Sequence, residues 1–346
     1  MIPLEELLAL VILAALILYA LSGGADFGGG IWDLLATGPR ARRQREAIEA
    51  AIGPIWEANH VWLILVVTVL FTAFPPAFAV LMTALHIPLT AVLIGIVLRG
   101  SAFVFRKYDV PDDTTHRRWS TVFGGASVVT PFFLGLSLGG VASGEIRVES
   151  GRLTTGFLAG WTSPFALGCG LFAEALFAFL AAVYLTIDTE DEPELQDDFR
   201  RRALGAGVLL APVAAAVFGL ARQGAPRIFD GLASGWGVPL LVATTVCGAG
   251  ALAALWTRRF RAARATAVVA VTLILLGWGL AQYPYLVVPD LTLHDTKSAE
   301  STLTLLVWVL AAGALLLFPS FAYLYWVFKG QRGSEGRRRD PRSSRL

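Results

Sequence analysis

The sequence predicts an all-α polytopic membrane protein of nine transmembrane helices, with its N-terminus outside and its C-terminus in the cytoplasm. Three observations predict it. Of 346 residues, 55% are hydrophobic and 16% charged, where a soluble chain averages about 45–50% and about 25%. Mean hydropathy is +0.64. Apolar residues fall in long runs, and a span takes roughly 20 of them. Basic residues alternate between the two sides of those runs.

The spans are placed at about 7–35, 55–74, 77–99, 120–141, 163–187, 203–221, 237–257, 265–284 and 303–328. The first is read as interrupted at Ser22-Gly23-Gly24-Ala25-Asp26-Phe27-Gly28-Gly29-Gly30, because each glycine weakens a helix by about 1 kcal/mol relative to alanine. Longer polar connections at 100–119, 142–162, 188–202 and 285–302 divide the chain, and a basic, Gly/Ser-rich tail follows from Lys329. Twenty-three of the 28 Lys and Arg lie after odd-numbered spans; only Arg147, Arg152, Arg222, Arg227 and Lys297 lie on the other side. The positive-inside rule therefore puts the N-terminus outside, the parity that an odd number of spans requires. No Lys or Arg precedes the first apolar run, so that run is expected to be retained rather than cleaved as a signal peptide.

Several function classes fall away. A net charge of +2, with basic residues in short clusters, gives no nucleic-acid-binding stripe. Cys169 and Cys247 lie far apart in apolar runs and read as small hydrophobes rather than a disulfide or metal pair.

Function is sought in the ionisable residues of the spans, where a charge is expensive: Asp26, Glu57, His60, His86, Arg99 and Glu174. Asp26 lies in the glycine segment, towards the cytoplasmic end of span one. Glu57 and His60, three residues apart on one helix face, open span two at similar depth. Together they read either as one proton-passing cluster or as a polar network that holds span two against the first. His60 and His86 differ in depth by roughly 13 Å at 1.5 Å per residue, so they are not expected to share a haem iron. His86 precedes Pro88 and is read as a kink-associated histidine bonded to a neighbouring helix. Arg99 closes span three and reads as a snorkelling side chain. Glu174, midway along span five with no local cation, is either a protonated, hydrogen-bonded acid or part of a proton path. Trp32, Trp161, Trp236 and Trp326 suit interfacial belts. Trp56 and Trp62 flank the acidic cluster, either as belt residues or as the wall of a quinone or haem edge.

Five segments resemble the cytochrome bd ubiquinol oxidase subunit II family: Gly24-Ala25-Asp26-Phe27-Gly28-Gly29-Gly30; Gly53-Pro54-Ile55-Trp56-Glu57-Ala58-Asn59-His60-Val61-Trp62-Leu63-Ile64; Arg99-Gly100-Ser101-Ala102-Phe103-Val104-Phe105-Arg106; Ser163-Pro164-Phe165-Ala166-Leu167; and Leu293-His294-Asp295-Thr296-Lys297-Ser298. The resemblance runs in order along nearly the whole chain. It implies two four-helix bundles plus one further helix, here 1–142, 163–285 and 303–328, followed by the basic cytoplasmic tail 329–346. It also implies a bacterial inner-membrane heterodimer with a larger subunit I that carries haem b and haem d, oxidises quinol and reduces dioxygen to water. On that reading this chain ligates no haem or metal and has no catalytic residue of its own. It contributes to cytoplasmic proton uptake, and the family's acidic positions map onto Asp26 and Glu57. Glu174 joins them as a local hypothesis, with Trp56, Asn59, His60, Trp62 and Arg99 as the supporting shell. A quinone held as a structural lipid is a further candidate ligand. The reading from another class is a proton-coupled transporter, motivated by a glycine-broken helix beside membrane carboxylates.

Overall fold

A computed structural model describes residues 2–53, 56–108, 114–149 and 151–330, with side chains for all of these except 56–57, 107–108, 114–117 and 324–330. Among the described residues eight helices are long and apolar enough to cross a membrane: α1 (Leu4–Leu34), α5 (His86–Tyr108), α6 (Thr114–Ser143), α7 (Pro164–Asp188), α8 (Pro193–Gly224), α10 (Gly237–Trp256), α11 (Phe260–Gln282) and α13 (Glu300–Gly330). The expected second span is α3 (Trp56–Ala73), whose described apolar part, Ala58–Ala73, is a shorter helix. The expected third span is divided at Leu85 into α4 (Pro75–Ala84) and α5. Pro88 brings no N–H to the Ala84 carbonyl four residues earlier, which fits a bend there.

The interruption expected in span one does not occur. Helix α1 runs unbroken for 31 residues through all five glycines. What the glycines provide is proximity. A Cβ on Gly28 would stand 2.0 Å from the carbonyl oxygen of Phe177 in α7, and one on Gly30 would stand 2.0 Å from Ser127 Oγ in α6. Tertiary packing on two sides outweighs the low helix propensity of the segment. Helix α7 sits among α1, α6 and α8, short α9 (Pro226–Ala233) links α8 to α10, and α10 pairs with α11. The largest apolar cluster, built on Phe27, Leu180, Val183, Leu255 and Val271, fills the space where α1, α7, α10 and α11 meet.

Between α1 and α3 lies a helix absent from the sequence reading, α2 (Ala41–Ile52). It is amphipathic: Gln44, Ile48 and Ile52, spaced four apart, are buried, while its arginines reach outward. Arg45 donates to the carbonyls of Asp33 (3.3 Å) and Ala36 (3.1 Å), and Arg202 of α8 donates to those of Trp32 and Leu35. These satisfy carbonyls that a helix C-terminus leaves open. Trp32 is no belt residue: its indole donates to the Ala178 carbonyl at 2.7 Å, tying α1 to α7.

At the opposite end of α1, the polar connections form two small hairpins. Strand β1 (Val148–Glu149) pairs antiparallel with β2 (Arg152–Leu153), and β3 (Tyr285–Val287) with β4 (Leu291–Thr292). Asp290 joins them, accepting from the Arg147 guanidinium (2.9 and 3.1 Å) and from the Val148 N–H (2.7 Å). Short helix α12 (Leu293–Thr296) follows, capped by Thr292. The next residues clamp two spans: Ser298 bonds the carbonyls of Ala73 and Thr72, and Lys297 and His294 both reach buried Glu5 at 2.9 Å. That carboxylate holds the Lys297 ammonium above its ordinary value.

Candidate functional site

The side chain of Arg99 is the largest fully buried one among the described residues. It does not snorkel, because α5 continues nine residues past it to Tyr108 and it lies inside the helix rather than at its end. The guanidinium crosses the face of α6 to reach Asp26 on α1, with Nη1–Oδ2 2.9 Å, Nη2–Oδ1 2.7 Å and Nη2 to the Asp26 carbonyl 3.1 Å. Its Nε donates to Ser127 Oγ at 3.0 Å, and that hydroxyl donates to the Phe123 carbonyl at 2.7 Å. Both charged side chains are 2% exposed or less. The bidentate fork is the geometry in which arginine recognises a carboxylate most strongly.

Seven residues further along both helices the arrangement repeats. Arg106 pairs with Asp33, Nη1–Oδ2 3.0 Å and Nη2–Oδ1 3.2 Å, again buried. The Phe123 ring lies between the two guanidinium carbons, 4.8 Å from Arg99 and 5.0 Å from Arg106. Seven residues are nearly two helical turns, so one stripe of α1 faces one stripe of α5 twice. Sequence reasoning missed this second pair. Ending span three at Arg99 leaves Arg106 in the cytoplasmic connection, and the ionisable residues singled out in the spans do not include Asp33. The shared seven-residue spacing of Asp26/Asp33 and Arg99/Arg106 was the available signal.

The expected cluster around Asp26 is brought together in part. Asn59 and His60 of α3 are its polar neighbours. The His60 ring lies 6.2 Å from that of Tyr19 and 6.3 Å from that of Phe27. The side chains of Glu57 and Trp56 lie outside the described residues, so the acid expected beside Asp26 carries no geometry here. Glu174 does not join the cluster. It is half-buried on α7 against Phe132 of α6, with its Oε1 lacking a hydrogen bond. His86 bonds within its own bend rather than to a neighbouring helix: its Nδ1 is 2.8 Å from the Thr83 carbonyl, and its ring meets Phe157 edge-on.

A cavity of about 330 Å³ opens between α1, α2, α3, α7, α11 and α13. Its polar lining is Ser22, Asp26 and Asn59 in one part, and Tyr184, Asp188 and Arg264 in another, at the end of α7 and the start of α11. The Arg264 guanidinium lies over the Tyr184 ring at 4.6 Å. Trp62 walls the cavity, stacked on Phe321 at 5.5 Å. Two carboxylates, Asp26 and Asp188, in a largely apolar lining suit water and protons. For a haem the side chains fit poorly: His60 lies against the Tyr19 and Phe27 rings and His86 is bonded to the Thr83 carbonyl across the α4–α5 bend. Among the described residues no three His, Cys, Asp or Glu come together as a metal site.

Fold and site thus define a multi-pass helical membrane protein organised around internal Asp–Arg pairs and an acidic cavity. The chain belongs to the cytochrome bd terminal oxidase subunit II family, whose family model matches residues 4–328. It is 25% identical over 321 residues to the putative cytochrome bd menaquinol oxidase subunit II of Bacillus subtilis, covering 90% of this chain and 91% of that one. It is also 25% identical over 369 residues to the cytochrome bd-I ubiquinol oxidase subunit 2 of Escherichia coli K12, covering 95% of each. Among solved structures, the bd oxidase of Geobacillus thermodenitrificans shares the fold, with a TM-score of 0.73, 22% identity, and coverage of 94% of this chain and 98% of that one. The chain is accordingly a subunit of a terminal quinol oxidase complex.

Proposed function

We propose that this chain is the non-haem partner of a haem-bearing subunit I in a heterodimeric quinol:oxygen oxidoreductase of the bacterial inner membrane, and that it carries protons from the cytoplasm towards the oxygen-reducing site. The haems b and d of subunit I would supply the electron transfer and oxygen chemistry. The residues of this chain hold and pass protons. Nine spans with the N-terminus periplasmic, grouped as 1–142, 163–285 and 303–328, are the architecture that goes with this reading.

The observation that carries it is the cavity. It contains Asp188 and Arg264 at helix ends that the positive-inside rule places in the cytoplasm, and it also touches Asp26 deep in α1. Asp26 cannot exchange its arginine for water without leaving a buried cation unpaired, so Arg99 fixes its position. Glu57, three residues before His60 in the sequence, is the donor to that site on this reading. Glu174 stands outside the cavity, and its unpartnered Oε1 supports a separate proton-carrying position between α6 and α7. With α1 continuous, the transporter reading loses the broken helix that motivated it.

Two measurements test the reading. A tag on this chain should co-purify reduced-haem absorbance bands and quinol-driven oxygen uptake; a colourless, folded protein without a large partner sinks it. In the assembled complex, Glu57→Gln and Asp26→Asn should slow oxygen uptake and proton uptake while the haem spectrum is retained. Full turnover with an unchanged pH profile in both variants removes the proton role.

A further inference from the structure

Helix α1 carries Tyr19, Asp26 and Asp33 at seven-residue intervals, one stripe spaced about 10 Å per step. Asp26 and Asp33 are each closed by an arginine from α5. Tyr19 is not. It is 4% exposed, and its hydroxyl is buried without a hydrogen-bond partner among the described residues. Nδ1 of His60 is likewise buried without a partner, and Nδ2 of Asn59, 2% exposed, faces the Asp26 carboxylate without a hydrogen bond of good geometry. The three lie near one carboxylate: Asn59 lines the same cavity as Asp26, Tyr19 precedes Asp26 by two turns on α1, and the Tyr19 and His60 rings are 6.2 Å apart.

Packing alone is a poor account of this arrangement. A buried polar atom without a partner costs about 1–3 kcal/mol, and apolar side chains would fill the same space at no such cost. The three atoms are also of mixed character: a hydroxyl that donates and accepts, an amide that only donates, and an imidazole nitrogen that does either. A cation there would face Arg99, and an anion would face Asp26. Water, which takes two to four bonds of either sense, suits such a set.

We propose that Tyr19, Asn59 and His60 hold ordered water that extends the Asp26 site along α1, and that Tyr19 is a further residue of the proton route. The inference rests on the proton-uptake reading. A proton arriving beside the Asp26 carboxylate is taken by a water, which releases another to the next acceptor; only O–H bonds are exchanged, no electron moves, Asp26 stays paired with Arg99, and the Tyr19 hydroxyl ends each passage as it began. Tyr19 lies on the far side of Asp26 from Asp33, so the water continues the path away from the Asp33 end of α1.

The test uses the complete oxidase complex. Tyr19→Phe deletes one oxygen and keeps the ring that lies over Gly23. Proton uptake in a single turnover, followed with a pH-indicator dye, should slow about three- to tenfold, the rate equivalent of one hydrogen bond, with the haem spectrum unchanged. If Tyr19→Phe keeps the native rate while Asp26→Asn is slowed, the water extension is overturned and the proton reading stands. If neither variant is slowed, both fall. Independently, a structure of the complex that resolves water should show water bonded to Tyr19 Oη, Asn59 Nδ2 and His60 Nδ1. Side chains of the partner subunit occupying those three atoms would overturn the inference.

Discussion

Arg99 and Asp26, 73 residues apart, form a bidentate pair at 2.7 and 2.9 Å with both side chains out of contact with solvent. Desolvating two charges costs several kcal/mol per ion, and the pair repays it only while every bond is made. What it secures is register. Asp26 on α1 can meet Arg99, and Asp33 can meet Arg106, in one alignment of the two helices only, with Phe123 of α6 between the guanidinium groups.

Removing one partner should therefore cost more than removing both. Arg99→Met leaves the Asp26 carboxylate buried and uncompensated, a loss of about 3–5 kcal/mol. Adding Asp26→Asn to it should restore much of that stability. Thermal melting of the complex in all four combinations checks this. Additive losses would show that the two residues do not act as a pair.

The glycines of α1 serve contact rather than bending, and a methyl group distinguishes the two. Gly28→Ala drives a Cβ to within 2.0 Å of the Phe177 carbonyl, a backbone atom that cannot swing aside. Separating α1 from α7 should cost about 1–3 kcal/mol or more and lower the yield of assembled complex. At Gly125 of α6 a Cβ meets nothing within 4 Å, so Gly125→Ala should be neutral or stabilising by up to about 1 kcal/mol. Equal melting temperatures for the two variants would refute the close-contact account.

The clamp at the far end of α1 has a defined pH signature. Glu5 raises the pKa of Lys297, chiefly through their hydrogen bond. A raised lysine pKa contributes stability that is fully present below the ordinary lysine value and is lost as pH rises through the raised one. The difference in melting temperature between the native protein and Lys297→Met should be constant across the neutral range and shrink only in the alkaline range. A difference that shrinks on passing from acid to neutral pH would assign the effect to another group.

By itself the sequence determined that the chain spans a membrane many times, which loops are basic, and that Asp26 and Arg99 merit attention. Those conclusions rest on burial costs that each residue incurs wherever its segment goes. Local propensity misled where packing overrode it: five glycines argued for a break, yet α1 is continuous because α6 and α7 press against it. Helix α2 was legible in the four-residue spacing of Gln44, Ile48 and Ile52, but short amphipathic runs between stronger apolar ones are easily passed over. Only the tertiary structure decided that Arg99 faces inward, that Arg106 belongs with Asp33, and that Glu174 stands apart from Asp26. A charge placed near a helix end by its sequence can either snorkel or pair, and which it does depends on whether an opposite charge on another helix comes within reach.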